Sequence, residues 1–359
     1  MKIGILTYHR SYNYGAVLQA IALRKVLLDM GHEVSFIDYW PAYHRHMYAL
    51  FSFHWLMSRK GIKGKMKYLK SSIQNYAYNK VKKENFEKFI SVYIIPYLSS
   101  MNETYDVIVH GSDQIWRKQP EINTYNPVLF GKHQIKALKK ISYAASMGIL
   151  PEKESDKNTI KGLLSNMDRI SVRERELFDL LQAIGFKEAR QDLDPTLLLA
   201  SKDWEDMFGL KKRELPEKYV LYYKIKDSFD VSSLRQFAKS RGLALKIIYS
   251  RAVGKETDSR ITTSNPEQFL DLIYNADFVF TSSFHGLAFS LIFHKPFLAS
   301  FTNNSGRAAS LLETLDLSDH LILPKVEIPD QISVIDYKKV DSIINKMSIC
   351  SKEYLYHLL

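Results

Sequence analysis

Two Rossmann-like α/β domains facing a cleft are the architecture this sequence predicts, and three observations predict it. The chain has 359 residues, and at roughly 100–200 residues per domain that length calls for two. Short β-rich runs alternate with helical periodicity in each half, the pattern of parallel strands joined by crossover helices. Between the halves lies Ser201–Lys218, a polar stretch holding Pro216. The division expected is therefore a first domain over 1–200, a linker over 201–218, a second domain over 219–335 and a C-terminal helical segment over 336–359.

The first half opens as strand, loop and helix. Lys2–Thr7 is a short apolar strand and Tyr8–Tyr14 a polar, aromatic loop. From Gly15, the residues Val17, Ala20, Ile21, Leu23, Leu27 and Leu28 recur at helical spacing until Gly31. Glu33–Tyr39 gives a second strand, so the opening is a right-handed βαβ unit. A basic window over 41–100, helical in tone, then reads as an insertion. Apolar runs follow at Asp106–His110, Lys140–Ala145 and Arg169–Val172, with helical patterns near Glu154–Met167 and Arg175–Ile184. Asp192–Leu199 closes the half. In the second half, strands are expected at Tyr219–Ile225, Leu243–Tyr249, Asp277–Thr281 and Pro296–Ala299. Helices are expected near Val231–Arg241 and Pro266–Tyr274, after His285, and over Arg307–Leu315.

Composition narrows the class. Hydrophobic residues make up 46% and charged residues 25%, which excludes disorder, collagen and coiled coil. No apolar run reaches the roughly 18 residues of a membrane span, and the N-terminus turns polar too soon for a signal peptide. A single cysteine, Cys350, excludes a disulfide framework and a cysteine-rich zinc site. The expected location is the cytoplasm. The net charge is +11, so the partners are expected to be anionic. Residues 41–100 hold eleven lysines and arginines against Glu84 and Glu87 alone, nine of those eleven excess charges. That window also carries Tyr43, Phe51, Phe53, Trp55 and Tyr68. It reads as a solvated helical insertion, as a contact with the anionic inner face of a membrane, or as a single-strand nucleic-acid surface. Nucleic acid is set last, because no nucleic-acid module accompanies the charge.

Five motifs carry chemistry, each at the carboxyl end of an expected strand or at a helix start, where such sheets bind ligands. In TSSFHG (Thr281–Gly286) a strand runs into a helix whose free N–H groups make an anion site. His285 there can hand a proton to what is bound; the alternative is a capped turn with a packed histidine. Ser282, Ser283 and Gly286 complete that start. In YDVIVHGSDQIW (Tyr105–Trp116), Gly111 permits close approach, and Asp113 and Gln114 can meet sugar hydroxyls. The alternative there is a capping Asp113 with Trp116 in the core. SYAASMG (Ser142–Gly148) suits a crowded backbone near substrate or simply tight packing. In ISVRE (Ile170–Glu174), Arg173 can fork onto a carboxylate or phosphate, or form a surface ion pair. In NNSGRAASL (Asn303–Leu311), Arg307 sits at a helix start, where a cation is unfavourable unless a ligand is present. The eleven histidines show no HExxH or comparable ligand spacing, so no metal is expected.

The order of YNYGA (Tyr12–Ala16) with Gln19, GSDQIW, SYAASMG, ISVRE, DPTLLL (Asp194–Leu199) and TSSFHGLAFSLIFHKPF resembles the polysaccharide pyruvyl transferase family, from Met1 to about Leu317. The resemblance implies a variant of the two-domain glycosyltransferase-B architecture. It implies transfer of pyruvate from phosphoenolpyruvate onto two hydroxyls of one sugar, leaving a cyclic ketal, with phosphoenolpyruvate as co-substrate and no cofactor. The acceptor would belong to a surface polysaccharide or its lipid-linked precursor. On this reading His285 is the general acid and Asp113 the base. Arg173, Ser282, Ser283, Gly286, Lys295 and Arg307 hold the donor. Asn13, Tyr14, Gly15, Gln19, Gly111, Ser112, Gln114 and Trp116 line the acceptor side. One departure stands out: many family members carry an arginine two residues before the motif histidine, where this chain has Ser283. Two other functions fit the same shell, a nucleotide-sugar glycosyltransferase and a non-catalytic glycan-binding homologue. Against the first, the second half lacks a paired-glutamate nucleotide-ribose signature.

Overall fold

The computed structural model describes residues 1–120, 122–214, 217–226, 228–249, 260–261, 264–302 and 306–358. Its first sheet holds β1 (Lys2–Leu6), β2 (Glu33–Ile37), β3 (Leu98–Ser99), β4 (Thr104–His110) and β5 (Lys136–Ser142). Helix α1 (Tyr14–Asp29) links β1 to β2. Between β2 and β3 come α2 (Ala42–Met47), α3 (Phe53–Ser58), α4 (Gly61–Gln74) and α5 (Tyr76–Tyr93), so the basic window is helical throughout most of its length. α6 (Glu154–Leu164), the short pair β6 (Ser171–Val172) and β7 (Arg190–Gln191), and α7 (Arg175–Ala183) complete the half. Single bridges from Ile141 to Arg169 and from Ala145 to Val172 tie β6 to the end of β5.

α8 (Ser201–Phe208) occupies the start of the stretch expected as a linker. That stretch is polar in sequence, but Trp204 is fully buried, edge-on to Phe289 and stacked on Phe208. Pro216 lies outside the described residues. The second sheet holds β8 (Tyr219–Lys224), β9 (Ala244–Tyr249), β10 (Arg260–Ile261), β11 (Phe278–Thr281) and β12 (Phe297–Ala299). Around it are α9 (Val231–Ser240), α10 (Pro266–Tyr274), α11 (Phe284–Ile292) and α12 (Gly306–Thr314). α13 (Tyr337–Leu358) follows.

Every described strand pair in both sheets is parallel. The strand orders, β3-β2-β1-β4-β5 and β10-β9-β8-β11-β12, are the same order twice. Each sheet therefore has a switch point, between β1 and β4 and between β8 and β11, where connections leave in opposite directions and open a crevice. These are two Rossmann-like domains.

A common core joins them. α1 is apolar almost all round and is buried on nearly every side, as a helix between two layers must be. Tyr14, in its first turn, reaches the second domain. Its ring stacks on Phe269 at 4.4 Å and its hydroxyl bonds Ser264. α13 begins on the second domain, where the Tyr337 hydroxyl donates to the Lys295 carbonyl at 2.5 Å. It ends on the first, where Ser351 accepts from the Leu193 N–H and Tyr354 donates to the Ser142 carbonyl.

Candidate active site at the two switch points

The loops after β1, β4 and β11 converge, and the ISVRE and DPTLLL segments close the floor. His285 lies in the first turn of α11, 6% exposed. One edge of its ring is pressed onto the first domain. A methyl on Gly15 would come within 2.0 Å of the His285 Nδ1, so glycine alone lets helix and imidazole meet. The other edge faces Asp194, with Nε2 3.5 Å from Oδ2.

Asp194 also binds the Arg173 guanidinium through a short charge-assisted hydrogen bond and accepts from the Thr196 N–H and hydroxyl. Burial alone would raise the Asp194 carboxyl. The Arg173 and His285 charges beside it instead hold it well below the usual carboxylate range. Arg173 is correspondingly favoured as a cation: burial opposes its charge, and Asp194, Glu174 and Asp113 more than restore it. Its Nη2 lies 3.7 Å from Asp113, in the loop after β4 of the same domain.

Arg307 comes in from α12. Its Nε is 3.6 Å from Glu174, whose carboxylate the Ser146 hydroxyl also holds. Burial and then the Arg173 charge pull its guanidinium below its usual value. The two guanidiniums share one aromatic ring, at 4.8 and 5.6 Å from the centroid of Phe284. Arg173 Nε and Nη2 and Arg307 Nε are buried without a hydrogen-bond partner. Buried N–H groups of two cations that lack hydrogen-bond partners, beside a histidine, are donors that an anion with more than one charged group could meet.

Two cavities flank this cluster. One, of about 300 Å³, runs behind Arg173, Asp194 and Arg307 to Ser351 on α13. The wider one, about 670 Å³, lies before Asn13, Asp113, Gln114 and Tyr223, and its outer wall is the basic insertion: His44, Ser71, Asn75 and Lys82.

The sequence matches the family model "Polysaccharide pyruvyl transferase" over residues 13–305. The chain belongs to this family. It is therefore a transferase of the polysaccharide pyruvyl type. No curated protein matches the chain. Among solved structures, the Staphylococcus aureus MnaA–UDP complex is similar at 10% identity and a TM-score of 0.47, over 99% of this chain and 95% of that one. The Methanocaldococcus jannaschii UDP-GlcNAc 2-epimerase complex is similar at 12% identity and 0.47, over 100% and 99%. The Streptomyces glycosyltransferase SsfS6 follows at 11% identity and 0.39, over 97% and 96%.

Several of the expected site residues are placed elsewhere or occupied. Lys295 is ten residues beyond His285, past the opposite end of α11, whose turns from His285 to Ile292 span roughly 10 Å. There it lies near Tyr274, and burial, with Lys212 alongside, pulls its ammonium down to about 8. It is not a donor ligand. Trp116 is fully buried, stacked on Phe130, with its indole N–H on the Leu129 carbonyl; it is core, not acceptor surface. Gln19 and Ser112 are buried against each other, the Gln19 carbonyl accepting from the Ser112 N–H. The Ser112 hydroxyl donates to Ala144. They hold the loop instead of facing ligand. Gly111, at φ 138°, packs on the Tyr143 carbonyl, where a methyl would come within 2.2 Å.

The Ser282 hydroxyl accepts from Ile225 and Lys226, tying the β8 and β11 ends together. Ser283 is the N-cap residue of α11 without a side-chain cap bond, and Gly286 lies against Thr281 and Tyr223. Tyr14 is spent on the domain contact. Asn13 caps α1 through the Ala16 N–H and, with Asp113 and Gln114, borders the wide cavity. Asn303, Asn304 and Ser305 lie outside the described residues. Sequence reasoning missed Asp194, Glu174, Ser146 and Phe284, although each stood inside a motif already singled out. No described helix is long and apolar enough to cross a membrane.

Proposed function

We propose that the chain transfers the pyruvyl group of phosphoenolpyruvate to two hydroxyls of one sugar, releasing phosphate and closing a cyclic ketal. The observation that carries the reading is the pair of buried guanidiniums, Arg173 and Arg307, with unpaired N–H groups beside His285. A carboxylate and a phosphate on one small molecule suit that pair. With Ser283 in place of the arginine many family members have, Arg307 supplies the second guanidinium.

His285 gives its proton to the terminal enol carbon, and the neighbouring carbon becomes an oxocarbenium. A sugar hydroxyl in the wide cavity attacks that carbon and loses its proton to Asp113. The C–O bond to phosphate breaks and phosphate leaves against the guanidiniums, taking the proton held on Asp113; the second hydroxyl then attacks the same carbon, returns its proton to His285 and closes the ring. Asp194, held ionised by its neighbours, steadies the charge on His285 before transfer and orients its ring, as a buried carboxylate does for a catalytic imidazole. The reaction so written needs no cofactor besides the donor. The acceptor is proposed to belong to a surface polysaccharide or its lipid-linked precursor, with the cytoplasm as the place of reaction.

The test is phosphate release from phosphoenolpyruvate in the presence of a panel of aryl hexosides. General acid catalysis contributes about 10²–10⁴-fold, so His285→Gln should lose at least that much with its melting temperature unchanged. A loss under about tenfold would remove His285 from the chemistry. Release that does not depend on any sugar would remove the transfer.

A further inference from the structure

The basic insertion has two faces, and only one of them borders the cleft. α4 contains no buried residue. Ile62, Met66, Leu69 and Ile73 are spaced 4, 3 and 4 residues apart, which at 3.6 residues per turn sets them within an arc of about 60°. Ile62 is 82% exposed, Met66 62% and Ile73 76%. On the same helix Lys65 falls on one side of this stripe and Lys63 and Lys70 on the other. Ser71, about 170° round from the stripe's centre by the same spacing, lines the wide cavity. The preceding α3 adds Phe53 and Met57, 67% and 54% exposed. Trp55 and Tyr68 are held by Arg59, which lies over both rings and ties α3 to α4.

The charge says what covers this face. From Tyr39 to Lys83 the sequence has ten lysines and arginines and no acidic residue. A second copy of the chain would bring the same cations against them. An acidic polymer would satisfy the lysines and leave the aliphatic stripe in water. An anionic bilayer answers both, because its phosphates meet the cations while its acyl boundary takes the isoleucines and methionine.

We infer that α3 and α4 are a docking platform for an anionic membrane surface, with the α4 stripe seated in the headgroup region. The opposite side of α4 then faces the wide cavity, so sugars carried on a lipid are presented to the cleft along the membrane plane. That last consequence rests on the cleft being the acceptor's, as proposed above; the docking does not.

The test is co-sedimentation of the full chain with phosphatidylcholine vesicles, with and without about one third phosphatidylglycerol. Binding should require phosphatidylglycerol and fall with added salt. Ile62→Ser, Met66→Ser and Ile73→Ser together should weaken it by about tenfold or more. Lys63→Gln, Lys65→Gln and Lys70→Gln together should weaken it on the order of a hundredfold, at about fivefold per lysine. None of the six positions lines either cavity, so the thermal protection given by phosphoenolpyruvate should stay at the wild-type level. Failure to bind phosphatidylglycerol vesicles overturns the inference. So does binding indifferent to the serine variant, which is adsorption by charge alone, or a serine variant that changes the oligomeric state instead of vesicle binding. Vesicle binding with no sugar-dependent phosphate release would leave the docking standing and sink the proposed function.

Discussion

Replacing Gly15 with alanine is the sharpest probe of the site, because the added atom has one destination. The new methyl would stand 2.0 Å from His285 Nδ1 and 2.4 Å from the adjoining ring carbons. Ordinary contact begins near 3.5 Å, so the ring must give way by about 1.5 Å. It has little room: His285 is 6% exposed, packs edge-on to Phe284 and faces Asp194. A misplacement of about 1 Å in a catalytic group can lower a rate by roughly a hundredfold. Overpacking costs about 1–3 kcal/mol, offset by about 1 kcal/mol because alanine suits the α1 helix better than glycine. The expected result is a kcat lowered by about a hundredfold with a melting temperature within a few degrees of wild type. The assay is phosphate release with the best acceptor of the hexoside panel. In a His285→Ala background, which opens space for the methyl, Gly15→Ala should cost nothing further. Activity within threefold of wild type would refute the reasoning, as would an equal loss in both backgrounds.

Arg173→Gln and Arg307→Gln should each abolish most of the thermal protection that phosphoenolpyruvate gives the wild type, as linkage requires of a lost ligand contact; full protection of either variant would remove that arginine from the donor site. Trp116→Ala should destabilise by about 3–5 kcal/mol, the range for a buried tryptophan, and a chemical denaturation midpoint near wild type would restore it to the acceptor surface. His44 is stacked on Tyr8 and bonded to Ser11, and burial lowers its pKa from 6.5 to about 3. The unfolded chain therefore binds the extra proton first, so stability is lost as pH falls below 6.5, by about 2 kcal/mol at pH 5. Denaturant melts of His44→Gln should show that acid loss reduced, and an unchanged pH slope would exclude His44 as its source.

The fold was legible where local pattern and tertiary role agree. Strand–helix alternation marked both sheets, and the motifs marked the strand ends that face each other. What failed to show in the sequence depends on direction in space. Lys295 is near His285 along the chain, but His285 stands in the first turn of α11 and Lys295 lies beyond its other end. Trp116 is three residues past Asp113, yet the loop turns it into the core. Asp194 precedes a proline and caps Thr196, as an ordinary capping aspartate would. Its second oxygen, the one that holds Arg173 and faces His285, is recognisable only once segments 21 and 91 residues away are beside it. The polar face of Ser201–Phe208 hid a helix because Trp204 finds its partner, Phe289, in the other domain.

The crossing of α13 from one domain to the other bears on how the protein is made. The first domain's sheet ends at Ser142, and both the Ser142 carbonyl and the Leu193 N–H are bonded by residues of α13, Tyr354 and Ser351. At about 5–20 residues per second, the ribosome needs about 8–30 s to go from the end of that domain to those residues. Through that interval the first domain is without its last helix, and the second grows beside an unfinished neighbour. Domains usually mature in order of synthesis; here the earlier one is completed last, and the cavity behind Arg173 gains its Ser351 wall at the same moment.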